Sequence, residues 1–185
     1  PVTTGWTHDT ISSDDPLFCG RAGTIGDRAG NFTVQNSDLL LVLGSRLNIR
    51  QVSYNWKSFA RAAYKIQVDI DPAEFRKPTV RIDLPILSDL QYFLEVLDKR
   101  LDEIHFDSKQ HENWSAWCKE RFINYPVLQP RMKKFNGKIN PYYFLDTLFK
   151  KIKKDDLLTI LKTILDEHNY VLEQKGDFLK ISKKI

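Results

Sequence analysis

Three clusters of residues have the types and spacing that chemistry needs. The first is Gly20-Arg21-Ala22-Gly23-Thr24-Ile25-Gly26-Asp27-Arg28-Ala29-Gly30-Asn31, with four glycines and two arginines in twelve residues ahead of a helix. Small residues let a backbone approach a ligand closely. Free N–H groups near a helix start favour an anion such as a pyrophosphate. An ordinary turn is the plainer account of such a loop, and no clear strand runs directly into it, as the dinucleotide fingerprint requires. The second cluster, Gly44-Ser45-Arg46-Leu47-Asn48-Ile49-Arg50, follows an apolar run. Ligands of open parallel sheets sit at the carboxyl ends of strands, where Arg46 and Arg50 would meet phosphates. The third, Asp69-Ile70-Asp71, ends another apolar run, and a carboxylate there accepts hydrogen bonds from ribose hydroxyls. Surface arginines and an Asp-Pro turn are the competing readings. All three clusters fall on one edge of the same inferred sheet.

The elements that position them follow from hydrophobic patterning. Leu39-Leu40-Leu41-Val42-Leu43, closed by Gly44, suits a strand buried on both faces of a parallel sheet. Lys65–Ile70 and Val80–Leu84 are the next predicted strands. Helices are predicted over Asn31–Ser37, Trp56–Tyr64 and Leu90–Leu101, the last capped by Ser88 or Asp89. Strands alternating with helices predict an α/β fold with an open parallel sheet and flanking helices. Residues 105–125 read as a polar helix holding Trp114, Trp117 and Phe122. Tyr125–Pro141 reads as an extended linker, and Asn140 caps a helix that begins at Pro141. Leu157–Glu167 has helical spacing. Tyr170–Gln174 and Phe178–Ser182 form a hairpin around Lys175-Gly176-Asp177. The domain reading is 1–104, then a helix and linker over 105–140, then a small helix and hairpin segment over 141–185.

Composition removes several classes of function. The 185 residues carry a net charge of +4. Residues 131–185 hold 13 Lys/Arg against 7 Asp/Glu, and residues 1–130 hold 15 against 17. A nucleic-acid surface would rest on the C-terminal part alone, which is lysine-rich at Lys150, Lys151, Lys153 and Lys154 but has only Arg131 for bidentate recognition. A solvated helix end is the preferred reading there. Cys19 and Cys118 are too few for a disulfide framework or a four-thiolate zinc site. His8, His105, His111 and His168 lack metal-ligand spacing, and no metal site or catalytic group is predicted. No apolar run approaches ~20 residues, so no membrane span is expected. No secretion leader is visible either, and the expected compartment is the cytoplasm.

Read together, PVTT, GRAGTIGDRAGN, QNSDLLLVLGSRLNIRQ, YKIQVDIDPAEF with its following KP, and RIDLPILSDL make residues 1–101 resemble the central domain of thiamine-diphosphate-dependent enzymes of the acetolactate synthase type. Tyr125–Asp156 is similar to the linker and first helix of the family's third, diphosphate-binding domain. The resemblance implies a Rossmann-like fold and a full enzyme that uses thiamine diphosphate and Mg2+ on 2-oxo acids as a homo-oligomer. It implies FAD or ADP in the central domain of some members. The implied nucleotide contacts are Gly23, Thr24 and Gly26 in the loop, Gly44, Ser45, Arg46, Asn48 and Arg50 after the first apolar strand, and Asp69 and Asp71 after the next. The family's Gly-Asp-Gly strand end and later Asn pair are not in this sequence, nor are its first domain and the opening strand of its central domain. The chain therefore reads as an internal segment, inactive by itself, with no family for residues 157–185. A non-catalytic interaction or scaffold domain derived from a nucleotide-binding fold is the rival.

Overall fold

The computed structural model describes residues 1–185 except 8, 105, 106, 135, 136, 138, 176, 177, 184 and 185. His8, His105 and the Gly176-Asp177 turn thus lie outside the described residues. The chain divides into two compact units, Pro1–Val127 and Leu128–Ile185.

The first unit is built on three parallel strands in the order β1 (Leu39–Leu43), β2 (Tyr64–Asp69), β3 (Leu84–Leu87). Leu41 lies opposite Ile66, and Val68 opposite Ile86. Central β2 is the buried strand: Gln67, Val68 and Asp69 are 2%, 0% and 8% exposed. One face of the sheet is closed by a core of Val34, Val42, Leu47, Val52, Phe59, Ala60, Ala63 and Val80. Burial of its Val, Leu and Phe side chains contributes roughly 1.5–3 kcal/mol each and holds the strand ends in place. Helix α1 (Arg28–Asn36) precedes β1, a single turn α2 (Ile49–Val52) follows it, and α3 (Leu90–Glu103) follows β3. Asp89 caps α3 by accepting the N–H groups of Gln91 and Tyr92, as the sequence suggested.

Three expectations need correction. Leu39–Leu43 is not buried on both faces: Leu39, Leu41 and Leu43 are 55%, 40% and 38% exposed. Their side chains share one face of the sheet, and β1 is an edge strand whose covering layer does not extend over that face. The third strand is Leu84–Leu87 rather than Val80–Leu84. Val80 drops into the core instead, and Pro85 is tolerated because β3 is also an edge strand. Trp56–Tyr64 is not a helix but one 3-10 turn over Trp56–Ser58, broken where fully buried Ala60 turns left-handed at φ 42°.

Helix α4 (Glu112–Asn124) belongs to the first unit and packs on α1. Thr33 Oγ1 lies 3.7 Å from Cys118 Sγ, Phe32 meets the Tyr125 ring, and Phe18 meets the Phe122 ring edge-on at 5.9 Å. Trp114 and Trp117 stack on each other at 5.1 Å. The second unit holds α5 (Pro141–Lys151), α6 (Lys154–Glu167) and the antiparallel hairpin β4 (Tyr170–Lys175) and β5 (Phe178–Lys183). Asn140 caps α5 through Tyr142 and Tyr143 N–H with Pro141 at its first position, as its sequence predicted.

Candidate functional site

The glycine loop folds into a closed bracket in front of α1. Asp27 is the N-cap: one carboxylate oxygen accepts the Gly30 N–H at 2.6 Å and the other accepts the Arg21 N–H at 2.7 Å. An anion therefore already sits at the start of α1, supplied by the chain itself. The Asn31 side-chain amide pairs with both backbone groups of Gly23. Gly26 N–H bonds Gly23 O, and Thr24 bonds Arg50 O through both its N–H (2.7 Å) and its hydroxyl (3.0 Å). The glycines serve this closure. A Cβ on Gly26 would run into Arg21 O, and one on Gly23, at φ +139°, would lie 2.9 Å from Arg50 O. The N–H groups of Gly23, Thr24 and Gly26, expected to face an anion, are thus engaged within the protein.

The second cluster lies where β1 ends. Gly44 N–H extends the ladder to Val68 O at 3.0 Å, and the chain then turns sharply, with buried Leu47 left-handed at φ 44°. Ser45 Oγ bonds Gln51 Oε1 at 2.9 Å, and Asn48 caps α2 by accepting Arg50 N–H at 3.0 Å. Arg46 points across to the end of β2. Its Nε donates to Glu74 Oε1 at 2.7 Å, its Nη2 lies 2.6 Å from the same oxygen, and Asp71 is 4.0 Å away. Asp69 and Asp71 build the turn after β2. Asp69 Oδ1 accepts Asp71 N–H and Asp71 Oδ1 accepts Ala73 N–H, each at 2.9 Å.

The structure therefore gathers the predicted residues into one continuous band. Thr24 binds Arg50, Gln51 of the same short helix binds Ser45, and neighbouring Arg46 reaches Asp71. Three residues that sequence reasoning passed over hold the band together. Buried Gln67 donates to Ser45 O at 3.0 Å from the middle of β2. Glu74, with its side chain 2% exposed, is ion-paired to both Arg46 and Lys77, and Lys77 Nζ also donates to Arg46 O at 2.8 Å. Burial alone would raise the Glu74 pKa, but the hydrogen bonds and charges of Lys77 and Arg46 outweigh it and hold the carboxyl below its usual range. The Arg46 pKa is raised in turn, first by its hydrogen bond to Glu74. A Glu two residues and a Lys five residues past an Asp-Pro turn are too ordinary a signal to mark this cluster from sequence.

Residues 1–97 match the family model described as thiamine pyrophosphate enzyme, central domain. The chain belongs to this central-domain family. The chain is also similar to a probable acetolactate synthase large subunit of Methanocaldococcus jannaschii, at 35% identity over 77% of this chain and 23% of that protein. A probable large subunit from Methanococcus aeolicus is 40% identical over 58% of this chain and 18% of that protein. Isozyme 2 of the Escherichia coli large subunit is 36% identical over 55% of this chain and 18% of its own length. The chain thus matches less than a quarter of the length of these relatives. The parallel sheet with flanking helices is the fold this central domain shares with the Rossmann-like pattern the sequence suggested. Among the described residues, no group of three or more His, Cys, Asp or Glu is placed to hold a metal ion. Among them, too, no helix is long and apolar enough to cross a membrane.

Proposed function

We propose that this central domain binds the ADP moiety of a nucleotide, as ADP or as FAD, at the carboxyl ends of β1 and β2. The observation that carries the reading is Arg46, an exposed guanidinium fixed at the end of β1 within 4.0 Å of the Asp71 carboxylate. A cation for phosphate oxygens beside carboxylates for ribose hydroxyls is the pairing such a ligand needs. In this reading Arg46 and Arg50 take the phosphates and Asp69 and Asp71 the ribose. Gly44, Ser45 and Asn48 shape the floor, and Gly23, Thr24 and Gly26 form the wall rather than the anion cradle, since their N–H groups are used internally. Isothermal titration of the 185-residue chain with ADP and with FAD tests it. Saturable heat is expected, and its absence from both titrations at ~100 μM ligand sinks the reading.

The same reading places the domain within a larger thiamine-diphosphate enzyme acting on 2-oxo acids, supported by the likeness to acetolactate synthase large subunits. Thiamine diphosphate supplies a carbanion next to a former carbonyl when it is bound with its metal. The described residues do not fit that group: they bring together no three His, Cys, Asp or Glu side chains for a metal, and Asp156 is occupied as a helix cap that accepts Lys153 N–H at 3.3 Å. The domain's role is then structural and nucleotide-binding, with the reaction carried by other parts of a homo-oligomeric enzyme. The purified chain should consume no pyruvate in the presence of thiamine diphosphate and Mg2+. Acetolactate formed above a cofactor-only blank would overturn this part.

A further inference from the structure

We propose that Glu74 is a positioning residue that presets Arg46 for the phosphates of a nucleoside diphosphate, an inference that rests on the nucleotide reading above. The geometry is a clamp with two jaws. Glu74 Oε1 takes both Nε and Nη2 of Arg46, at 2.7 and 2.6 Å, while Lys77 Nζ bonds the Arg46 backbone carbonyl at 2.8 Å and the other Glu74 oxygen. The guanidinium is a rigid planar fork, so fixing one edge fixes the direction of the other. The Arg46 side chain nevertheless remains 67% exposed, whereas that of Glu74 is 2% exposed. The clamp therefore holds the arginine from behind and leaves the Nη1 side open.

A free surface arginine would lose rotamer entropy on meeting an anion, and that loss weakens binding. Here Glu74 already engages one edge of the guanidinium before any ligand arrives. The attraction is therefore local, not a matter of net charge: Arg46 and Lys77 are more than balanced by Glu74, Asp69 and Asp71, and a phosphate would be held by the directed N–H groups of Arg46. Asp69 and Asp71, from the turn after β2, are the other charged groups facing it. Neither carboxylate is within hydrogen-bond distance of Arg46: Asp71 stops at 4.0 Å. Glu74 is thus the hydrogen-bonding partner that sets the direction of Arg46, and Asp71 adds only a longer ion pair.

The test compares ADP with adenosine on the full chain, for the parent, Glu74→Gln, Arg46→Ala and the double variant. Glu74→Gln is expected to weaken ADP about tenfold and to leave adenosine unchanged, a split that a merely structural role would not produce. Arg46→Ala should weaken ADP at least as much, and adding Glu74→Gln to it should cost nothing further. If ADP binds the parent and Glu74→Gln equally well, the positioning role is wrong while the nucleotide reading survives. If the parent binds no ADP, the nucleotide reading fails and takes this inference with it. Nitrogen-15 NMR of the unmodified chain covers a Glu74→Gln variant that does not fold. The Arg46 Nε–H should be ordered and slow to exchange, and an Arg46 Nε–H as mobile as that of a free arginine overturns the proposal.

Discussion

Asn31 and Gly23 form a two-way amide pair: Gly23 N–H donates to Asn31 Oδ1 at 2.9 Å, and Asn31 Nδ2 donates to Gly23 O at 3.0 Å. The pair pins the loop to the first turn of α1, and Thr24 next to it carries the pinning on to Arg50. Asn31→Ala leaves two half-buried backbone groups without partners, a cost of roughly 1–3 kcal/mol. Asn31→Asp keeps the acceptor for Gly23 N–H but faces Gly23 O with another acceptor, so it should recover only part of that loss. Urea unfolding of the three chains is the measurement. An Asn31→Ala midpoint equal to the parent's would show that the pair does not hold the loop.

Acid should weaken the first unit through Glu74. Its folded pKa lies below its unfolded value, so its contribution is fully present above the unfolded pKa of ~4.3. That contribution is lost as pH falls through the lower, folded value, because the unfolded state binds the proton first. Thermal melts from pH 7 downward should show the parent losing stability below about pH 4.5, with Glu74→Gln showing a flatter dependence over that window. Parallel curves for the two would mean that the carboxylate is not held charged.

How much was legible in the sequence depended on whether the signal was local. The Leu39–Leu43 strand, the Asn140-Pro141 helix start and the hairpin arms of the second unit each follow from a few neighbouring residues, and each is present. The helix after the glycine loop starts at Arg28 rather than Asn31. Asp27 is a strong cap whose carboxylate closes the loop, and four glycines masked that signal. Glu74, Lys77 and Gln67 matter through partners 20 or more residues away, Arg46 and Ser45. No periodicity encodes such pairs. Burial of β1 is not legible for a related reason: five apolar residues in a row report what a strand is able to bury, not which layers reach it.

The open outer face of β1 decides which core substitution is lethal. An unpaired carboxylate costs several kcal/mol only where water is excluded, and Leu41 is 40% exposed whereas Val68 on β2 is fully buried. Val68→Asp should therefore abolish the cooperative melt, since a loss of that size is comparable to the stability of a whole domain. Leu41→Asp should leave a folded chain with a modestly lowered midpoint. Circular dichroism melts decide it, and equal damage from the two substitutions would mean that the outer face of β1 is covered in solution.

The two cysteines should differ in reactivity despite being neighbours. Burial, and after it the charge and hydrogen bond of Cys19, push the Cys118 thiol up to about 11, against the opposing effect of the Thr33 hydroxyl. The thiolate is the nucleophile, so Cys118 is almost wholly protonated at neutral pH and shielded from reagents as well. Cys19 is half-buried. Brief iodoacetamide treatment at pH 8 followed by peptide mass analysis should label Cys19 and spare Cys118, with both labelled in urea. The same shift makes the fold sensitive to alkali. The folded pKa is raised, so the contribution is complete below the unfolded value of ~8.5 and disappears as pH rises towards 11. The informative quantity is the difference between the parent and Cys118→Ala. The parent should lose stability more steeply than the variant between those two values. Equal slopes, or labelling of Cys118 in the native chain at the rate seen in urea, would show that α4 does not seal this thiol against α1.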